Sequence, residues 1–147
     1  MTYGAESFVS FAITPELELR ADYTYTMATD QDTGQELFRR PKNKVSVTSS
    51  WKALDDLTLS ATLNHVGPWK EQSIANNYAP GYTAPGYTTV NLAANYAATD
   101  NITLFGRIDN LFDVTYEDPA GYLRPGFGIF GGIKVKAYVA DLVELGK

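Results

Sequence analysis

Alternation at a period of two residues limits what this chain can become. From Leu17 to Met27 every odd position is apolar or aromatic, while the even positions are Glu18, Arg20, Asp22, Thr24 and Thr26. Successive side chains of a strand point to opposite faces, so this run is a ribbon with one oily side and one charged side. The run from Leu57 to Leu63 repeats the pattern, and the run from Val45 to Trp51 follows it more weakly. None of the three has the i, i+3, i+4 spacing of an amphipathic helix.

Three tight turns recur at near-even intervals: Thr14-Pro15-Glu16, Leu54-Asp55-Asp56 and Thr99-Asp100-Asn101. Longer polar stretches rich in Gly, Pro and Tyr separate them. Strand, short turn, strand, long loop is the wiring of a barrel whose two rims face different spaces. The pattern predicts an all-β, antiparallel, up-and-down transmembrane β-barrel segment of about seven strands, with short turns on one rim and long loops on the other. The strands are expected near residues 3–13, 16–27, 44–53, 57–66, 87–97, 102–112 and 127–138. Their long connections are 28–43, 67–86 and 113–126. No domain boundary interrupts residues 1–138, and residues 139–147 form a tail, as a short helical turn or free chain.

Periodicity does not say which face is inside. In a soluble sandwich or barrel that binds ligands in its interior, Leu17, Leu19, Leu57, Leu59 and Leu63 would be core. In a membrane barrel they would meet lipid while the polar face lined the lumen. The runs approach the roughly ten residues that a tilted strand needs to cross a bilayer, where soluble strands more often have about five or six. Aromatic residues sit toward the ends of the runs, at Tyr23, Tyr25, Trp51, Tyr96, Phe112, Tyr116 and Tyr138, as interfacial girdles do. A mean hydropathy of -0.21 looks soluble, but alternation hides the hydrophobicity of a barrel. With no Cys there is neither a disulfide framework nor a thiolate metal site, and a net charge of -5 argues against a nucleic-acid partner.

Several local motifs then carry a resemblance. Arg39-Arg40-Pro41-Lys42-Asn43-Lys44 precedes a strand, and Tyr87-Thr88-Thr89-Val90-Asn91-Leu92 opens another. Ile108-Asp109-Asn110-Leu111-Phe112-Asp113 is followed by Tyr116-Glu117, then by Gly121-Tyr122 and Pro125-Gly126. In this order they resemble motifs in the C-terminal part of the barrel of TonB-dependent outer-membrane receptors, nearest to the siderophore and cobalamin group, over residues 3–138. The resemblance implies a location in the outer membrane of a Gram-negative bacterium. It also implies uptake of a scarce nutrient such as an iron–siderophore complex or cobalamin, no enzymatic activity, and no cofactor. The implied partners are outer-membrane lipid, the remaining barrel strands, a plug domain, the TonB complex acting through that plug, and the small-molecule nutrient. Relatives have barrels of about 22 strands. The chain is therefore expected to be a C-terminal barrel fragment or a truncated reading frame, without plug, TonB-engaging motif or signal peptide. Phe127 stands where the family often has Arg, and a chain with open strand edges is expected to be non-functional alone or to pair with other chains. A small self-contained pore or structural barrel is the alternative membrane reading.

Chemistry-bearing residues are sparse. His65 is the only histidine, so neither a histidine metal site nor a Ser-His-Asp triad has a second anchor. The glycines from Gly121 to Gly132 lack the Lys-Ser/Thr of a phosphate loop and suit a turn and a bent strand. No catalytic or metal-binding residue is expected. Glu18, Arg20 and Asp22 share one strand's polar face, Arg107 and Asp109 another's, with Lys134 and Lys136 on the last. Arg20, Arg107 and Asp109 are candidate lumen or plug contacts, or they pair with neighbouring strands. Trp69, Tyr78, Tyr82 and Tyr122 are candidate ligand contacts in the long loops, or they anchor those loops to each other or to the outer interface.

Overall fold

The structure is a computed structural model in which residues 1–71 and 81–137 are described. Within them lie nine strands: β1 (Thr2–Thr14), β2 (Leu17–Ala28), β3 (Asn43–Lys52), β4 (Leu57–Val66), β5 (Trp69–Lys70), β6 (Thr83–Ala84), β7 (Tyr87–Ala97), β8 (Ile102–Asp109) and β9 (Gly128–Val135). Seven of them form one antiparallel sheet in the order β1-β2-β3-β4-β7-β8-β9, so each long strand lies beside its sequence neighbour. Sequence patterning located these seven to within a few residues. It missed β5 and β6, a two-residue pair inside the β4–β7 connection, because alternation cannot be read from so short a run. The eighth and ninth strands are also shorter than expected. Asn110 takes φ 50° and ends β8, and β9 ends at Val135. Tyr138 and the tail, residues 139–147, lie outside the described residues.

Local chemistry makes the short turns. Thr14 Oγ1 accepts the backbone N–H groups of Glu16 at 3.2 Å and Leu17 at 3.1 Å. Thr99 Oγ1 does the same for Asn101 at 3.3 Å and Ile102 at 3.0 Å. In both, a hydroxyl accepts within the turn and the chain reverses without glycine; in the second, Thr99 and Ile102 also exchange backbone bonds at 3.1 and 3.3 Å. The middle turn closes on the backbone, where Leu54 and Leu57 exchange N–H to C=O bonds at 3.2 Å, and Lys52 Nζ donates to Asp55 Oδ1 at 2.8 Å on its exposed side.

Register decides the faces. One row crosses the sheet as Phe11, Leu19, Ser49, Ala61, Leu92, Ile108 and Ile129. On the opposite face a row runs Glu18, Ser50, Ser60, Ala93, Arg107 and Phe130. The apolar face carries Tyr3, Tyr23 and Tyr25 near the long-loop rim and Trp51 and Tyr96 near the short-turn rim. Aliphatic and small side chains fill the space between them. Two of the expected girdle residues belong elsewhere: Phe112 projects from the β8–β9 connection, and Tyr116 stacks on Tyr87.

Among the described residues nothing packs against the apolar face. Leu63 is 39% exposed and Phe11 57%, and the buried hydrophobic residues are Ala28, Trp69 and Ala84, all at the long-loop rim. A soluble domain of this length would seal its leucines in a dry interior. Here Leu19, Leu59 and Leu63 share one open surface, as strands that meet lipid do.

Candidate functional site

The long connections converge at one end of the sheet. Gly67-Pro68 ends β4 and leads into β5, whose alternation puts Trp69 and Glu71 on the same side. Glu71 is 1% exposed. Its Oε1 accepts Arg39 Nε of the β2–β3 connection at 2.6 Å. Its Oε2 accepts Trp69 Nε1 at 3.1 Å and the backbone N–H of Ala120, in the β8–β9 connection, at 3.2 Å. Burial by itself raises the Glu71 carboxyl, but the donors from Arg39, Trp69 and Ala120 outweigh it and hold the group below its ordinary value. Arg39 takes φ 59°, and its backbone N–H donates to Lys70 O at 2.8 Å.

Aromatic packing continues the junction. Trp69 meets Tyr87 edge-on with centroids 6.3 Å apart, and Tyr87 stacks on Tyr116 at 4.0 Å. Tyr87 Oη donates to Asp118 Oδ2 at 2.8 Å. A small cavity of about 120 Å³ lies among Arg39, Lys44, Trp69, Tyr87 and Asp118. A larger cleft of about 580 Å³ opens between the β6–β7 segment and the β8–β9 connection, beside Tyr82, Tyr116 and Glu117. In the β2–β3 connection, Asp30 Oδ1 accepts Thr33 N at 2.8 Å and Asp32 N at 2.9 Å, and these bonds hold its carboxyl below the usual range. Glu36 accepts a hydrogen bond from Lys42 across the same connection.

The Asn-Leu-Phe-Asp run has a structural account. Asn110, 4% exposed, donates through Nδ2 to Val114 O and accepts Val114 N–H on Oδ1, both at 2.9 Å. Its own N–H donates to Asn91 Oδ1 at 2.8 Å. Asp113 Oδ1 accepts Phe127 N–H at 2.7 Å and so aims the chain into β9. A Cβ at Gly126 would collide with that same oxygen.

On the polar face Arg20 and Arg107 occupy matching settings. Arg20 pairs with Asp22 on its own strand at 2.6 Å and lies 4.5 Å from the centroid of Phe8 on β1. Arg107 pairs with Asp109 at 3.3 Å and lies 4.6 Å from the centroid of Phe130 on β9. Both guanidinium side chains stay about half exposed, at 46% and 55%. Such exposed pairs add little stability.

The candidate ligand residues are dispersed. Trp69 is buried at the junction, Tyr82 is half-buried beside the larger cleft, and Tyr122 is exposed on the β8–β9 connection. Tyr78 lies outside the described residues. His65 Nδ1 lies 2.8 Å from Thr88 Oγ1 on the apolar face, and no metal-holding cluster of three or more His, Cys, Asp or Glu occurs among the described residues. Sequence reasoning passed over Glu71, although its i, i+2 relation to Trp69 marks it as a same-face partner. It also passed over Phe8, Phe105 and Phe130, which lie on the polar face. The ring of Phe105 covers Gly132, where a Cβ would come within 2.6 Å of its Cζ.

Comparison with known proteins agrees with this architecture. The chain is 34% identical over 140 residues to the iron-regulated outer membrane virulence protein of Vibrio cholerae, covering 91% of this chain and 21% of that protein. It is 32% identical over 101 residues to the vitamin B12 transporter BtuB of Vibrio vulnificus, covering 69% of this chain and 15% of that one. In three dimensions it is similar to the ferric enterobactin receptor PfeA of Pseudomonas aeruginosa, with a TM-score of 0.78 at 21% identity over 90% of this chain and 22% of the receptor. The chain thus spans about a fifth of the length of such relatives. Residues 2–111 match the model of the TonB-dependent receptor-like β-barrel, and the chain belongs to that family of outer-membrane transport receptors.

Proposed function

We propose that residues 1–138 form the C-terminal portion of a TonB-dependent receptor barrel in a Gram-negative outer membrane, with residues 139–147 as a tail. The receptor takes up a scarce nutrient of the iron–siderophore or cobalamin kind. The carrying observation is the sheet itself. One face is apolar from rim to rim between two aromatic bands, the other carries the charged side chains together with Phe8, Phe105 and Phe130, and among the described residues no second layer packs on the apolar face. The free edges of β1 and β9 suit pairing with further strands that close the barrel. The apolar face meets lipid. The polar face, with Arg20, Arg107 and Asp109, meets a plug domain through which the TonB complex acts. The long connections face the outside, where Tyr82, Tyr122 and the unplaced Tyr78 are the ligand-contact candidates, while Trp69 is buried against Tyr87 and Glu71. None of this calls for catalysis or a cofactor.

Spin labels at Val47, Leu63 and Val90 on one face, and at Thr48, Thr62 and Asn91 on the other, test the reading in outer-membrane vesicles. Dissolved oxygen should relax the first set and leave the second less affected. Equal accessibility of both sets would remove the membrane assignment. Deletion of the receptor should abolish growth on one iron chelate or on limiting cobalamin, and growth unchanged on all of them would remove the transport assignment.

A further inference from the structure

We infer that Glu71 is a positioning residue that ties three long connections into one unit, so that these three move as a single body. This rests on the receptor reading only for which side the junction faces. The three connections leave the sheet at separate places, between β2 and β3, β4 and β7, and β8 and β9. Nothing in the strand ladders joins them. One buried carboxylate does: Oε1 holds Arg39, while Oε2 holds Ala120 and Trp69. Each oxygen serves a different connection, and the side chain itself belongs to the third.

The junction is reinforced on both sides of that carboxylate. Arg39 N–H donates to Lys70 O, and Glu71 N–H donates to Tyr82 O, each at 2.8 Å. Tyr87, at the base of the same region, reaches Asp118 through its hydroxyl and Tyr116 through its ring. Displacement of the β8–β9 connection therefore pulls on Glu71, and through Oε1 on Arg39. A ligand that touches one connection is felt by the other two.

Acceptor geometry makes the inference specific. A glutamine at 71 keeps the shape but has one acceptor oxygen. It can serve Ala120 and Trp69, or Arg39, but not both groups. Glu71→Gln should loosen one connection, Glu71→Ala two, and Arg39→Ala only the β2–β3 connection, which then keeps just its backbone bond to Lys70 O.

The test is a double electron–electron resonance measurement on the full receptor in vesicles, with labels at Asp32 and Tyr122 and a second pair at Asp32 and Thr83. Heat-modifiable gel migration confirms folding of each variant. The wild type should give one narrow distance for both pairs. Arg39→Ala should at least double the width of both, and Glu71→Ala should broaden the first pair further. Combining Arg39→Ala with Glu71→Gln should add little to Arg39→Ala alone. Unchanged widths in folded Arg39→Ala and Glu71→Gln receptors would overturn the inference, even if Glu71→Ala fails to fold. The measurement needs no ligand, so failure of the transport reading leaves it standing, and its own failure leaves transport untouched.

Discussion

Asn110 and Val114 exchange two hydrogen bonds: Asn110 Nδ2 donates to Val114 O, and Asn110 Oδ1 accepts Val114 N–H, both at 2.9 Å. The side chain thereby imitates a strand partner for backbone that has just left the sheet. Asn is also among the few residues that take φ 50° at little cost. Buried groups left unpaired cost about 1–3 kcal/mol each. Asn110→Ala should therefore destabilise the barrel by about 3 kcal/mol in urea unfolding from detergent micelles, and Asn110→Gly by slightly less because the backbone strain is relieved. A loss under 1 kcal/mol for both would show that water replaces the side chain.

Gly126 and Asp113 form a second coupled pair. A methyl group at 126 displaces the carboxylate that receives Phe127 N–H. Gly126→Ala should cost about 1–2 kcal/mol. In an Asp113→Ala background the same substitution should cost well under half of that, because the obstacle is already gone. A double-mutant cycle reads this directly, and additive costs would place the clash elsewhere.

The Glu71 junction should respond to acid. Its carboxyl in the folded chain lies below its ordinary value, so its contribution is complete above about pH 4.3 and declines as pH falls through the folded value. The width of the Asp32–Tyr122 distance distribution should be flat from pH 7 to 5 and grow below about pH 4. In Glu71→Gln it should be broad at neutral pH already and vary little. Broadening of the wild type near pH 6 would point to another group.

The two faces of one strand should differ in their tolerance of charge. Leu92 lies in the middle of β7 on the apolar face, and Asn91 is its neighbour on the polar face. Arginine on a lipid face near the midplane costs about 2–4 kcal/mol. Leu92→Arg should show that loss in folding titrations into bilayers, while Asn95→Arg, on the polar face of the same strand and clear of the Asn91–Asn110 hydrogen bond, should lose about 1 kcal/mol or less. Equal losses would remove the assignment of faces.

Much of this was legible before any coordinates. Alternation in residues 17–27 and 57–63 determined strands, and the three Thr- or Asp-bearing turns determined which strands are sequence neighbours in the sheet. Both are local properties, because side-chain direction repeats every two residues and a turn closes through atoms two or three positions apart. The motif around Asn110 pointed to the family without saying what its residues do.

The tertiary structure alone decided the rest. Whether Leu19, Leu59 and Leu63 met a core or an open surface depended on whether a second layer existed, and periodicity is the same in both cases. The meeting of Arg39, Glu71 and Ala120 joins residues 32 and 49 positions apart, so no window of sequence contains it. Trp69 looked like an exposed loop aromatic and is buried, because β5 turns it onto Tyr87. Composition could assign these loops polarity, but only their convergence at one rim brought Arg39, Trp69 and Ala120 to the buried carboxylate.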